Sequence, residues 1–293
     1  QPIVNEYFEY LTYKLDHGIS KNPVPKIVRE LAVNQVKSGE LYTILDVGCF
    51  NGSMLNRILQ DIPQDIRPHI RCVGIDNDLS VMATGHRDFR NLGFVCGSPI
   101  YPLPLRSGFA VAILSNVLHE IYSDCYLQEK SHASAIKKTV SAISNTSDVL
   151  DKRAHLVIQD GILPEDAERL VNVRFHDENS LREFLRFCTE YFYPVSFTLL
   201  LNNTVRLSLH ALSLFLTKRR YLNTAYWALE ATQIYPVFSE SGYRSALSSL
   251  GYDIIVCNFS RVSESDIKFD FVREEHHSLC PPKNVLIVAV KKT

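Results

Sequence analysis

Side chains that could bind or activate a ligand stand within or directly after short apolar runs of the 293-residue chain. They are Asp46 in the run 42–47, Asp76 at the end of the run 70–76, and His119 and Glu120 after the run 109–115. A carboxylate accepts hydrogen bonds from cations and hydroxyl groups, and an imidazole titrates near neutral pH. The pattern predicts a site that binds a polar ligand and can take up a proton.

A glycine turn and a helix follow the first of these runs. Gly48 and Gly52 let the backbone turn sharply and approach a ligand closely, because neither residue carries a Cβ atom. Residues 54–59 then have helical apolar spacing, so the N-terminal amides of a helix would point at the ligand. Strand, turn and helix form the first unit of a doubly wound α/β sheet, where ligands lie outside the carboxyl ends of the strands. The alternative is a strand–helix corner whose glycines serve packing alone.

The residues of the turn exclude two common nucleotide-binding loops. No lysine follows Gly52, which excludes the phosphate loop G-x-x-x-x-G-K-[ST]. The dinucleotide pattern G-x-G-x-x-G needs glycines at positions 50 and 53, where the chain has Phe50 and Ser53. A carboxylate two residues before the first glycine suits a cation better than a pyrophosphate.

The segment Asp46-Val-Gly-Cys-Phe-Asn-Gly52 resembles motif I, D-x-G-x-G-x-G, of the class I S-adenosylmethionine (SAM)-dependent methyltransferases, with Phe50 at the middle glycine. Residues 73–78 are similar to motif II of that family, and residues 114–120 are similar to the stretch after its fourth strand. The resemblance covers about 41–161 and 238–293. It implies a doubly wound, Rossmann-like α/β sheet with SAM as the cofactor.

The resemblance also implies roles for the matched positions. Asp46, Gly48 and Gly52 would hold the amino-acid end of SAM, and Asp76 would accept from the ribose hydroxyls. Ser98 would meet the adenine edge, where the family usually has an acid. The expected cofactor-binding residues are Asp46, Gly48, Cys49, Asn51, Gly52, Asp76, Asn77, Ser98, Ser115, Asn116 and Val117.

The expected catalytic residues are His119, Glu120 and Asp160. His119 is predicted to remove a proton from the methyl acceptor, and the alternative is a packed side chain that bonds a backbone carbonyl. Asp160, at the end of a fifth apolar run, either lines the acceptor pocket or caps a loop. Transfer to oxygen, nitrogen or carbon would depend mainly on alignment of the reactants. No metal site is predicted, since His276 and His277 are neighbours that point apart and the set His119, Asp160 and His176 has no supporting spacing.

Four segments are predicted from the apolar patterns. They are an N-terminal helical segment (1–40), a SAM-binding core (41–164), a helical lid insertion (165–238) and the C-terminal part of the core (239–293). The lid is expected to shape the acceptor pocket, or alternatively to form a homodimer interface. The N-terminal helices are expected to pack on the sheet or to cover the site with Tyr7, Tyr10 or Tyr13. A helical stretch over 126–150 is expected to break at the polar residues 144–148.

Composition and charge restrict the partners. With 46% hydrophobic and 22% charged residues, the chain is typical of soluble globular proteins, and no membrane partner is expected. A formal charge of −1 disfavours nucleic acid, although a partner domain could supply RNA affinity. Seven scattered cysteines predict free thiols in a reducing, cytoplasmic compartment. The sequence thus predicts a methyltransferase acting on a small molecule, with a degenerate SAM-binding or scaffolding module or an RNA methyltransferase as alternatives.

Overall fold

The computed structural model describes residues 22–36, 40–262, 267–272 and 280–293. The helices predicted before residue 22, with their tyrosines, and the pair His276-His277 lie outside these ranges. The helices are α1 (Val24–Gln35), α2 (Ser53–Asp61), α3 (Leu79–Asp88), α4 (Leu118–Glu129), α5 (His132–Asp148), α6 (Glu178–Glu190), α7 (Leu209–Lys218), α8 (Trp227–Glu230) and α9 (Glu240–Ser249). The strands are β1 (Tyr42–Val47), β2 (Ile70–Asp76), β3 (Gly93–Cys96), β4 (Phe109–Ser115), β5 (Leu150–Ile162), β6 (Leu170–Phe175), β7 (Phe197–Leu199), β8 (Thr204–Ser208), β9 (Pro236–Phe238), β10 (Tyr252–Arg261), β11 (Phe269–Phe271) and β12 (Pro282–Lys291).

The central sheet has the strand order β10-β12-β5-β4-β1-β2-β3, and β9 also pairs with β5. Strands β1 to β5 run parallel, whereas β12 runs antiparallel to both of its neighbours. The strand order reverses between β1 and β4, which is the topological switch point of a doubly wound sheet. The predicted Rossmann-like α/β architecture is confirmed, and its ligand crevice lies at the carboxyl ends of β1 and β4.

Helices cover both faces of this sheet. One face packs against α1 and α2 through a buried cluster that includes Ile44, Ile113 and Val157. The other face packs against α4, α5 and α9 through a cluster that includes Leu114 and Ile158. Strands buried on both faces are continuous apolar runs, which is why β1, β2 and β4 could be read from the sequence.

The insertion, residues 165–238, contains strands as well as helices, so the prediction of a purely helical lid was wrong. Its strands β6, β7 and β8 form a separate antiparallel sheet in the order β11-β6-β8-β7. Helices α6 and α7 cover one face of that sheet, where the rings of Phe184 and Phe215 meet edge to face at 5.2 Å. Strand β11 comes from the connection between β10 and β12, outside the insertion.

The helical stretch before β5 breaks at a different place from the one predicted. Lys130 adopts a left-handed φ of 52° between α4 and α5, and α5 continues through residues 144–148. The polar side chains there are accommodated within the helix, because Thr146 donates from its hydroxyl to the carbonyl of Ala142 at 2.8 Å. Ser147 is buried and accepts a hydrogen bond from Tyr252.

The helices of the described ranges are too short or too polar to cross a lipid bilayer. All seven cysteines are free thiols, as predicted.

Candidate active site

The loop between β1 and α2 lies over the carboxyl end of β2. Gly48 has a φ of 75° and donates its N–H to the carbonyl of Ile75 at 2.8 Å. A Cβ atom on Gly48 would lie 2.7 Å from a methyl group of Val117, so glycine is required both for conformation and for space. Phe50, at the position of the family's middle glycine, also adopts a left-handed φ of 51°. The loop therefore has the glycine-type path that the motif predicted, with a phenylalanine in one strained position.

Asp46, which precedes this loop in β1, is unusual because its ionisable side chain is buried. It is 1% exposed, and neither carboxylate oxygen has a hydrogen-bond partner within the described part of the chain. Burial and, to a lesser extent, the nearby Asp76 raise the pKa of Asp46 to about 8. A buried carboxylate without a partner is costly to the fold, so its arrangement suits a bound cation or a strong hydrogen-bond donor.

Asp76 serves the loop as well as the crevice. Its carboxylate accepts from the backbone N–H of Phe50 at 2.8 Å and from that of Asp78 at 3.0 Å. Burial nevertheless raises the pKa of Asp76 above its usual value. Asp78 caps α3 by accepting from the amides of Ser80 and Val81, which leaves Asp76 to face the crevice.

His119 and Asp160 form a buried pair behind the end of β4. The imidazole Nδ1 of His119 lies 2.7 Å from Oδ1 of Asp160. The same carboxylate accepts from the backbone amides of Leu118, His119 and Gly161. Burial alone would lower the pKa of His119, but the charge and hydrogen bond of Asp160 outweigh it and raise that pKa. Asp160 therefore fixes the proton on Nδ1 and leaves Nε2 as the basic atom.

Glu120 lies beside this pair and faces the interior of the cavity. Its side chain is accessible from the cavity, whose walls enclose it. That enclosure raises the pKa of Glu120 to about 7, whereas His119 pulls it in the opposite direction. Glu120 thus titrates close to neutral pH, beside an imidazole whose pKa is raised.

The insertion closes the site from above. The ring of Tyr235 lies 4.5 Å from that of His119, and its hydroxyl donates to Oδ1 of Asn116 at 2.9 Å. Lys218 is buried, forms a 2.6 Å ion pair with Glu230 and lies 5.7 Å from the ring centre of Tyr235. Burial lowers the pKa of Lys218 despite that ion pair. The insertion thereby supplies an aromatic cover over the His119–Asp160 pair.

One cavity of about 810 Å³ joins these groups. Most of the predicted site residues line it: Asp46, Gly48, Cys49, Asp76, Asn77, Ser98, Ser115, Asn116, Val117, His119 and Glu120. Asn51 and Gly52 support the loop instead, because Asn51 accepts from Ser53 and Gly52, with a φ of 80°, precedes α2. Asp160 lies behind His119, where it positions the imidazole rather than touching the cavity.

Several residues that line the cavity were not predicted from the sequence, among them Phe50, Lys218, Arg220, Tyr221, Glu230 and Tyr235. Most of them come from the insertion, whose path over the sheet no local pattern encodes. No group of three or more His, Cys, Asp or Glu side chains within the described ranges is arranged to hold a metal. His176 contacts Asp270 at 3.3 Å and does not join the His119–Asp160 pair.

No protein-family model matches the chain, and no curated protein matches it. Solved structures with a similar chain path include a SAM-dependent methyltransferase from Methanosarcina mazei (12% identity, 88% of this chain and 95% of that one, TM-score 0.47). A second is the [4+2]-cyclase SpnF (12% identity, 91% of this chain and 80% of that one, TM-score 0.48). A third is LepI in complex with SAH (10% identity, 90% of this chain and 46% of that one, TM-score 0.48). At this level the similarity concerns the fold, so the function has to be inferred from the residues of the site.

Proposed function

We propose that this protein is a SAM-dependent methyltransferase that acts on a small molecule. The observation that carries the proposal is the buried carboxylate of Asp46, whose two oxygens are without partners among the described residues, at the end of β1 beside the glycine turn. The SAM ammonium would give that carboxylate the cation it needs. Asp76 and Ser98 line the same cavity, and Asp76 would accept from the ribose hydroxyls.

SAM, when bound, supplies a methyl group made electrophilic by its attachment to a sulfonium. The chain's own residues would then serve the acceptor. Nε2 of His119 accepts the proton that the acceptor atom loses, and the carboxylate of Asp160 stabilises the resulting imidazolium through Nδ1. Tyr235 covers the imidazole and helps to exclude water. Charge and alignment within an enclosed cavity would supply most of the rate.

Two experiments test this proposal. Calorimetry should detect binding of SAM and of its demethylated product by the native chain, and binding should weaken at least tenfold in Asp46→Asn. Incubation with methyl-labelled SAM and small-molecule extracts should then give a labelled product. Binding without any transfer would favour the alternative of a SAM-binding module, whereas absence of binding would refute the proposal.

A further inference from the structure

A row of polar side chains crosses four neighbouring strands at the edge of the sheet where β1, β4 and β5 end and the antiparallel β12 begins. Asp46 pairs in register with Ile113 of β4, and Ser115 lies two residues further along that strand. Ser115 pairs with Gln159 of β5, and Asn284 of β12 pairs with Gly161, two residues past Gln159. Residues two apart on a strand share a face. The row Asp46, Ser115, Gln159 and Asn284 therefore lies on one face of the sheet.

This face is opposite to the one that carries the predicted base. Two residues away from the row on their strands lie Ile113, Val157 and Leu286, which therefore share its face. All three belong to the cluster under α1 and α2. Ile158, whose side chain shares a face with Asp160, belongs to the cluster on the other side. The cavity at the end of the sheet is thus bordered by the polar row on one side and by the His119–Asp160 pair on the other.

Gln159 and Asn284 resemble Asp46 in one respect. Oε1 of Gln159 and Oδ1 of Asn284 are both buried, and neither has a hydrogen-bond partner in the residues that the structure describes. Both residues line the cavity. An amide oxygen that is buried without a donor destabilises the folded chain, so such atoms in a cavity wall mark positions where a ligand can supply the donor.

Building on the proposed function, we infer that Gln159 and Asn284 bind the methyl acceptor by accepting hydrogen bonds from its N–H or O–H groups. Asp46 lies at the cofactor end of the row, next to the switch point between β1 and β4. Gln159 and Asn284 lie one and two strands beyond β4, which places them past the methyl donor. Diagonal neighbours on adjacent strands are about 7–8 Å apart, so a single small molecule can reach both amides.

The inference is tested with Gln159→Met and Asn284→Leu, which keep side-chain size and remove the polar atoms. The melting temperature of each free variant should rise, because each change removes an unpaired buried oxygen. Calorimetric affinity for SAM should stay within twofold of the native value. Gln60→Met, on the exposed surface of α2, is the matched control and should leave both quantities unchanged.

Turnover is measured with methyl-labelled SAM and a defined set of small alcohols, amines and amides, each beside its O- or N-blocked analogue. The native chain should methylate members with free N–H or O–H groups, and both variants should raise KM at least tenfold. A lower melting temperature, a tenfold loss of SAM affinity, or unchanged KM would overturn the inference. So would a native chain that binds SAM and methylates no member of the set, whereas failure to bind SAM would refute the proposed function itself.

Discussion

Nδ1 of His119 and Oδ1 of Asp160 lie 2.7 Å apart, although 41 residues separate them in the chain. The Asp160 carboxylate also accepts hydrogen bonds from backbone N–H groups at the start of α4 and from that of Gly161. One buried carboxylate therefore joins the end of β5 to the first turn of α4 and orients the imidazole.

Replacing His119 by Asn should lower kcat by about 10²–10⁴-fold, the usual contribution of a positioned general base. The Asn amide nitrogen can occupy the place of Nδ1 and keep the bond to Asp160, so the variant should melt close to the native temperature. SAM affinity should change little. His119→Gln is the contrasting variant, because it loses the bond to Asp160 and should melt at a lower temperature. Native kcat in the Asn variant would refute the role of His119 as the base.

The pH dependence of kcat offers a separate test. The base must be neutral to accept a proton, and Asp160 raises the pKa of His119. The rate should therefore rise with pH through a pKa above the ordinary histidine value of about 6.5. By linkage, His119 stabilises the fold below that ordinary value, and this contribution is lost as pH rises through the folded-state pKa. A rate that is independent of pH between 6 and 9 would contradict the proposal.

Replacing Asp46 by Asn should weaken SAM binding at least tenfold without lowering the melting temperature. The wild-type carboxylate has a pKa raised to about 8, so the folded state holds its proton more tightly than the unfolded chain does. The free energy of unfolding should therefore fall as pH rises from about 4 toward 8. The Asn variant should lack this part of the pH dependence. Melting curves at several pH values measure the effect. A variant with reduced stability and native SAM affinity would indicate a structural role instead.

Replacing Asp76 by Ala should affect both binding and the loop. Two hydrogen bonds to ribose hydroxyls, each contributing about 1.5–3 kcal/mol, would be lost, so SAM affinity should fall at least tenfold. The backbone N–H groups of Phe50 and Asp78 lose their acceptor as well, so the melting temperature should also drop. Asp78→Ala is the control, because it removes only the cap of α3. It should reduce stability and leave SAM affinity within a few-fold of native.

Replacing Gly161 by Ala should move the insertion away from the site. A Cβ atom there would lie 2.1 Å from the carbonyl oxygen of Tyr235, which cannot shift without moving β9. We expect a loss of about 1–3 kcal/mol in unfolding free energy together with reduced kcat, since Tyr235 covers His119. Gly93→Ala is the matched control, because its Cβ would meet Val73 at an ordinary 3.5 Å. Equal unfolding free energies and equal kcat values for the two variants would exclude a special role for the contact between Gly161 and Tyr235.

The central sheet was predictable because its signals are local. Each strand from β1 to β5 has an apolar run, and Asp46, Asp76 and His119 were recognised by their position at or just after such runs. Parallel strands bring their carboxyl ends to one edge, so residue position along the chain was enough to place these side chains around one crevice.

The insertion was harder to predict for physical reasons. The segment 199–208 has helical apolar spacing, yet it forms a hairpin, with Asn202 and Asn203 at left-handed φ values of 56° and 53°. Two successive residues with positive φ are typical of a type I′ turn, which favours Asn. The pair Asn202-Asn203 is therefore a sequence signal that could have revealed β7 and β8. The positions of Lys218 and Tyr235 depend on how the whole insertion packs, and those of Gln159 and Asn284 depend on register with distant strands. No local pattern contains either kind of information.

The path of β11 has a consequence for the order in which the protein can fold during synthesis. The antiparallel sheet of the insertion is completed by residues 269–271, and the central sheet is completed by β12, which lies between β5 and β10. A nascent chain that has emerged only to residue 260 therefore lacks strands of both sheets, with Phe175 and Val173 missing their partners Phe269 and Phe271. Since residues 269–291 complete both sheets, the two sheets should become stable together, and the aromatic interior of the insertion should stay partly exposed until then.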